Sequence, residues 1–202
     1  MAEHEHHHGD EHDDDPEHDE LTEAEAQEQA ERLVRKEIAL SQIRQYGDPV
    51  LRMRADVVES FDAELRKVSE RMIGLMHDAD GIGLAATQVG ILRRMFVCTL
   101  DGEDHVLVNP VVTSVGDETE VDVEGCLSLG SVRVPVERAT RVSLAAQDID
   151  GEPVALELEG LPARIVQHEA DHLDGRLMLE RSDAESRREA LGRLRPRLVL
   201  TS

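Results

Sequence analysis

Residues 167–175 read Gln-His-Glu-Ala-Asp-His-Leu-Asp-Gly, which sets His168 and His172 four positions apart with Glu169 between them. Residues i and i+4 share one face of a helix, so two imidazoles at this spacing can grip a single metal ion. A glutamate directly after the first histidine cannot reach that metal, but it can reach a water beside it and act as a base. The other histidines beyond the first twenty residues, His77 and His105, are isolated and read as solvated or hydrogen-bonded.

Two ligands do not make a tight site. Glu180, Glu185 and Glu189 lie downstream, where a zincin-like endopeptidase would find its third ligand, but they sit on a highly charged segment. The better candidate is Cys126, which follows the strand-like Thr-Glu-Val-Asp-Val and two further residues, Glu124 and Gly125. One thiolate and two imidazoles leave a tetrahedral position open for water, the layout of a catalytic site rather than a closed structural one. Cys98, inside an apolar run, reads as a small buried hydrophobe.

The helix that must carry the histidines opens near Leu161, with Pro162 in its first turn, and Gly175 is placed to end it. Leu161, Ile165, His168, Glu169 and His172 fall on one stripe, so the polar triplet lies where a core-facing surface is expected. Upstream, Asp62 caps an amphipathic helix with Leu65, Val68, Met72, Leu75 and Met76 on one face. The glycine-punctuated stretch 80–90 reads as a loop. From Arg93 to Leu158 short β-branched runs predict antiparallel strands, the last two joined through Asp150-Gly151. A final helix starts at Ser182, paired with Glu185, and stops by Pro196. Helices flanking antiparallel strands make the class α+β.

At 202 residues one domain is the expectation. The net charge of -22 is concentrated at the start: residues 1–31 hold 14 acids and no Lys or Arg, leaving 30 acids against 22 bases beyond. That remainder offers no broad basic face for DNA. Residues 1–20, with six of the ten histidines, read as a disordered acidic tail, 21–41 as a helical extension or linker, 42–196 as the catalytic domain, and 197–202 as a short tail. Thr22 and Glu25 form the pattern of a capping box at the start of the extension. The first residues lack the features of a signal or transit peptide and no run is apolar enough to span a bilayer, so the reading is a cytoplasmic protein without a membrane contact.

Three stretches together resemble the peptide deformylase family: GIGLAATQ at 81–88, EGCLS at 124–128 and QHEADHLDG at 167–175, in the family's order. The likeness runs from about Ile43 to at least Glu180. It implies an α+β fold of mixed antiparallel sheets around a central helix bearing His-Glu-x-x-His, with a C-terminal helix. It also implies Fe(II), replaceable by zinc, nickel or cobalt, held by Cys126, His168 and His172. The implied activity is removal of the formyl group from the N-terminal formyl-methionine of newly made polypeptides, with release of formate.

In that picture Glu169 carries the proton, and the Gln88 amide with the Leu127 backbone N–H steadies the developing oxyanion. The peptide lies as an added strand along Ile82, Gly83 and Gly125 near Arg133, with Leu161, Ile165 and the His168 ring around the methionine. The family can dock near the ribosomal exit tunnel, and the segment from Arg181 holds six Arg against three acids. Gly130 stands where the family usually has proline, which implies a more flexible loop beside the groove. The alternatives are a zincin-like endopeptidase indifferent to Cys126 and a non-catalytic metal-binding or ribosome-associated factor.

Overall fold

The computed structural model describes residues 22–194; the expected tails at 1–20 and 197–202 lie outside them. The chain opens with α1 (Glu23–Ser41), started by the expected capping box: Thr22 accepts from the Glu25 N–H and the Glu25 carboxylate accepts from the Thr22 N–H. A short 3-10 turn at Pro49–Arg52 leads to α2 (Ala63–Asp78), capped by Asp62 as expected, with Leu65, Met72, Leu75 and Met76 buried.

Seven strands follow: β1 (Gly83–Ala85), β2 (Met95–Leu100), β3 (Glu103–Ser114), β4 (Thr119–Gly125), β5 (Arg133–Ala139), β6 (Arg141–Gln147) and β7 (Pro153–Glu159). They form an antiparallel five-stranded sheet in the order β1-β2-β3-β6-β7 and a separate antiparallel pair β4-β5. The stretch expected as a loop at 80–90 instead contributes β1 and a 3-10 turn over Ala86–Val89. Three residues beside glycines carry no strand signature of their own; pairing of Gly83, Leu84 and Ala85 with Cys98, Val97 and Phe96 makes the strand.

The helix α3 (Gly160–Leu173) is central. Its residues pack against the five-stranded sheet through Ala163, Ile165, Val166 and Leu173, in a cluster with Phe96, Leu107 and Leu144. A second cluster joins α2 to β1 and β2, and a third lies under the β4-β5 pair with Leu177, Met178 and Leu179. Because α3 is buried on several sides, its inner surface is wider than the single predicted stripe and includes Arg164 and Asp171. Leu161, expected on that stripe, is instead 59% exposed, since it lines an open cavity rather than the core.

Gly175 ends α3 as expected: it has φ +70°, and a Cβ there would stand 2.5 Å from the Arg52 carbonyl oxygen. After it comes α4 (Ala184–Leu194). Its cap is Asp183 rather than Ser182, because Asp183 Oδ1 accepts from the N–H groups of both Glu185 and Ser186.

Candidate metal centre and its groove

The two motifs converge because α3 passes behind the loop between β4 and β5. Cys126 stands at the end of β4 in extended backbone, just before a 3-10 turn over Leu127–Leu129. Its Sγ lies 3.3 Å from His172 Nε2. The His168 and His172 rings meet edge to face with centroids 5.0 Å apart. One ligand atom from each of Cys126, His168 and His172 lies within 4.8 Å of the others, and all three residues are buried. No other such cluster occurs among the described residues.

This donor set fits a metal. One sulfur and two nitrogens converge, and beside them Glu169 Oε2 is buried without a hydrogen-bond partner among the described residues. An unpaired buried carboxylate oxygen is costly, so its place next to an open ligand set marks a site kept for chemistry. Burial pushes the Glu169 pKa up to about 7, while the neighbouring His168 works against that rise. A carboxyl near neutrality can take and return a proton.

The remaining expected residues gather around it. Gln88 is buried; its Oε1 accepts from the Ala85 N–H at 2.8 Å, which turns Nε2 toward Ser128 Oγ at 3.1 Å and Cys126 Sγ at 3.6 Å. Leu127 opens its 3-10 turn, so its N–H has no partner within that turn. Both lie on a cavity of about 700 Å³ that also takes in Ile82, Gly83, Gly125 and Arg133. Leu161, Ile165 and His168 form its α3 side. Gly83 packs directly on the carboxylate: a Cβ there would stand 2.8 Å from Glu169 Cδ. A Cβ at Gly125 would fall on the Arg133 guanidinium. Gly130 has φ +59° with open space around it, so its backbone conformation, not crowding, favours glycine.

Gly83→Ala is accordingly expected to displace the Glu169 carboxyl and lower kcat/KM about 10- to 100-fold, with only a modest change in melting temperature. An unchanged kcat/KM would mean that the carboxyl is not held by this contact.

A group of residues that the motif reading left without a role holds the centre from behind. Glu124 Oε2 accepts from His168 Nδ1 at 2.9 Å, which leaves His168 Nε2 as the ring's free ligand atom. Arg138 donates to Glu124 at 2.9 and 3.0 Å and reaches Asp171; Arg164 adds a 2.9 Å bond to Glu124, and Arg181 pairs with Asp171 at 2.7 Å. Burial opposes ionisation of Glu124, but the bonds from His168 and Arg138 outweigh it and hold the carboxyl well below its ordinary range. The sequence carried one signal: Val134, Val136 and Arg138 alternate along β5, and all three face inward.

Cys98 is buried as expected, and burial raises its thiol pKa strongly. His77 is exposed and bonded to Asp104 at 2.7 Å.

The fold and site define an α+β protein built around an open sulfur-and-imidazole metal cluster with a buried carboxyl at its side. A family model described as polypeptide deformylase matches residues 40–188. A relative named peptide deformylase 1 from Corynebacterium efficiens is 48% identical over 158 residues, covering 76% of this chain and 93% of the relative. The crystal structure of peptide deformylase from Thermotoga maritima is 48% identical with a TM-score of 0.68, covering 70% of this chain and 96% of that one. The crystal structure of the Thermus thermophilus peptide deformylase is 42% identical with a TM-score of 0.71, covering 75% and 91%. The chain belongs to the polypeptide deformylase family.

Proposed function

We propose that this protein is a metal-dependent hydrolase that removes the formyl group from the N-terminal formyl-methionine of newly made polypeptides and releases formate. The observation that carries the reading is the convergence of Cys126, His168 and His172 beside Glu169, whose buried Oε2 has no hydrogen-bond partner among the described residues, in a chain of this family. Cys126, His168 and His172 would hold Fe(II), with zinc, nickel or cobalt able to replace it, since a mixed sulfur and imidazole set suits several first-row ions. When bound, the metal supplies Lewis acidity at the formyl group.

The chain's own residues do the rest. Glu169 takes the proton of the attacking water and returns it to the departing amine. The Gln88 amide and the Leu127 N–H donate to the formyl oxygen as it gains negative charge. β1 is an edge of the five-stranded sheet and β4 has one unpaired edge, and both border the same cavity. An extended peptide can therefore join as a strand along Ile82, Gly83 and Gly125, near Arg133, with Leu161, Ile165 and the His168 ring receiving the methionine.

The test is formate release from a formyl-Met-Ala peptide by the metal-loaded protein. It is expected to fall to background after a chelator and to return on adding Fe(II) under anaerobic conditions. Cleavage of internal bonds in an acetylated peptide, with Cys126→Ser fully active, would replace this reading with a metallo-endopeptidase. The place of work is the cytoplasm, where nascent chains are met. Arg187 and Arg188 are exposed on α4, open to phosphates of the ribosome. Pelleting with ribosomes is expected to weaken when residues 182–202 are removed, and equal recovery would discard that contact. Among the described residues no helix is long and apolar enough to cross a membrane.

A further inference from the structure

The family match begins at residue 40, yet α1, nearly all of which precedes it, borders the groove. Lys36 and Leu40 line the same cavity as Gly83, Cys126 and Glu169. The helix is also fastened to the segment that leads into β1. Arg32 Nη2 meets Asp80 Oδ1 at 2.7 Å, and Lys36 Nζ meets Asp80 Oδ2 at 2.9 Å. Asp80 has φ +55°, an uncommon conformation for a residue with a side chain, and it stands directly before Gly81, Ile82 and Gly83. A second tie runs from Arg71 on α2 to Gln42 at 2.9 Å, just past the end of α1. α1 is thus docked at both its middle and its end, and one of those docks is the loop along which the peptide would lie.

The charges at this end of the groove do not cancel. Two cations, Arg32 and Lys36, share one carboxylate, Asp80. Of the other charged groups on the cavity, Arg164 and His168 are engaged with Glu124, Glu169 lies at the metal centre, Arg133 lies over Gly125, and Asp122 stands on β4. Counted together, Arg32, Lys36 and Asp80 leave one positive charge, with Lys36 on the cavity and Arg32 behind it, while the β4-β5 side carries Asp122 and Arg133. Successive side chains of an extended peptide point to opposite sides, so each wall meets a different residue beyond the methionine.

We propose that α1 is a wall of the substrate groove, and that Lys36, backed by Arg32, makes this wall favour peptides with a carboxylate side chain at the second or third residue. The inference rests on the deformylase reading and deepens it: the family motifs act on the formyl-methionine, and α1 reads the residues after it. Leu40 supplies the apolar base of the same wall, packed against the α2 core. An exposed charge pair of this kind shifts affinity by a small factor, and the preference weakens in high salt.

The experiment measures kcat/KM for formyl-Met-Glu-Ala, formyl-Met-Lys-Ala, formyl-Met-Ala-Glu and formyl-Met-Ala-Lys, using the full chain and its Lys36→Gln and Lys36→Glu variants, with circular dichroism confirming the fold. The expected result is a Glu-over-Lys preference at one of the two positions. It falls about threefold in Lys36→Gln and reverses in Lys36→Glu. Lys36→Glu also sets a carboxylate against Asp80, so Lys36→Gln decides the outcome if the reversal loosens α1. Identical Glu-to-Lys ratios in all three proteins at both positions would overturn the wall role while leaving the deformylase reading intact. Absence of formate from every peptide would overturn that reading instead, and this inference with it.

Discussion

Glu169→Gln is expected to lower kcat for a formyl-Met peptide about 10²- to 10⁴-fold, the range lost when a positioned general base is removed. The substitution keeps the side chain's size, so the contact with Gly83 and the packing of α3 persist. What disappears is the ability to carry a proton. Glu169 is outside the Cys126, His168 and His172 set, so metal content per chain should stay near that of the parent. KM should change little, because in the proposed role the carboxyl acts on water rather than on peptide binding. Burial already raises the acid to about 7 and Oε2 has no partner among the described residues, so a neutral amide should give a fold no less stable than the parent. A loss below tenfold with full metal occupancy would remove Glu169 as the proton carrier. A loss of metal in parallel would mean that the carboxyl supports the cluster rather than the reaction.

Much of this centre could be read in the chain because its geometry is encoded locally. A four-residue spacing on a helix places His168 beside His172 whatever the rest of the fold does. The longer strands were legible for a similar reason, since alternation along β5 and β6 is a property of each strand alone. Features produced by distant partners were not legible. β1 exists because β2 lies beside it, and its three residues look like loop. Leu161 has the right helical phase for the core, yet it lines the open cavity instead. Ser182 and Asp183 are both competent caps, and the start of α4 selects the second. The ring of charges behind His168 joins residues 10 to 44 positions apart, and no spacing rule reaches that far. The docking of α1 against Asp80, across 44 and 48 positions, is invisible for the same reason.

That buried ring is where the largest loss of stability is expected, and counting its charges says which member matters most. Glu124 and Asp171 face Arg138, Arg164 and Arg181. Replacing Arg138 leaves two acids against two guanidinium groups, with Glu124 still bound by Arg164 and His168 and Asp171 by Arg181. Replacing Glu124 leaves one acid against three cations, and strips His168 Nδ1 of its acceptor. Removing one partner from a buried ion pair costs about 3–5 kcal/mol, chiefly through the charge left uncompensated. Arg138→Met should therefore fall near about 3 kcal/mol and Glu124→Ala near about 5 kcal/mol. For a chain of this size those losses lower the melting temperature by roughly 10 °C and 15 °C. Arg181, whose side chain is 43% exposed, should cost under about 1 kcal/mol when replaced by Ala. Glu124→Ala should in addition weaken metal binding about 10- to 100-fold, because His168 loses the bond that fixes its orientation. Thermal melts of the three variants, with and without metal, measure the order. If Arg138→Met proves more damaging than Glu124→Ala, hydrogen-bond geometry rather than charge balance governs the ring, and the link from Glu124 through His168 to the metal loses its support.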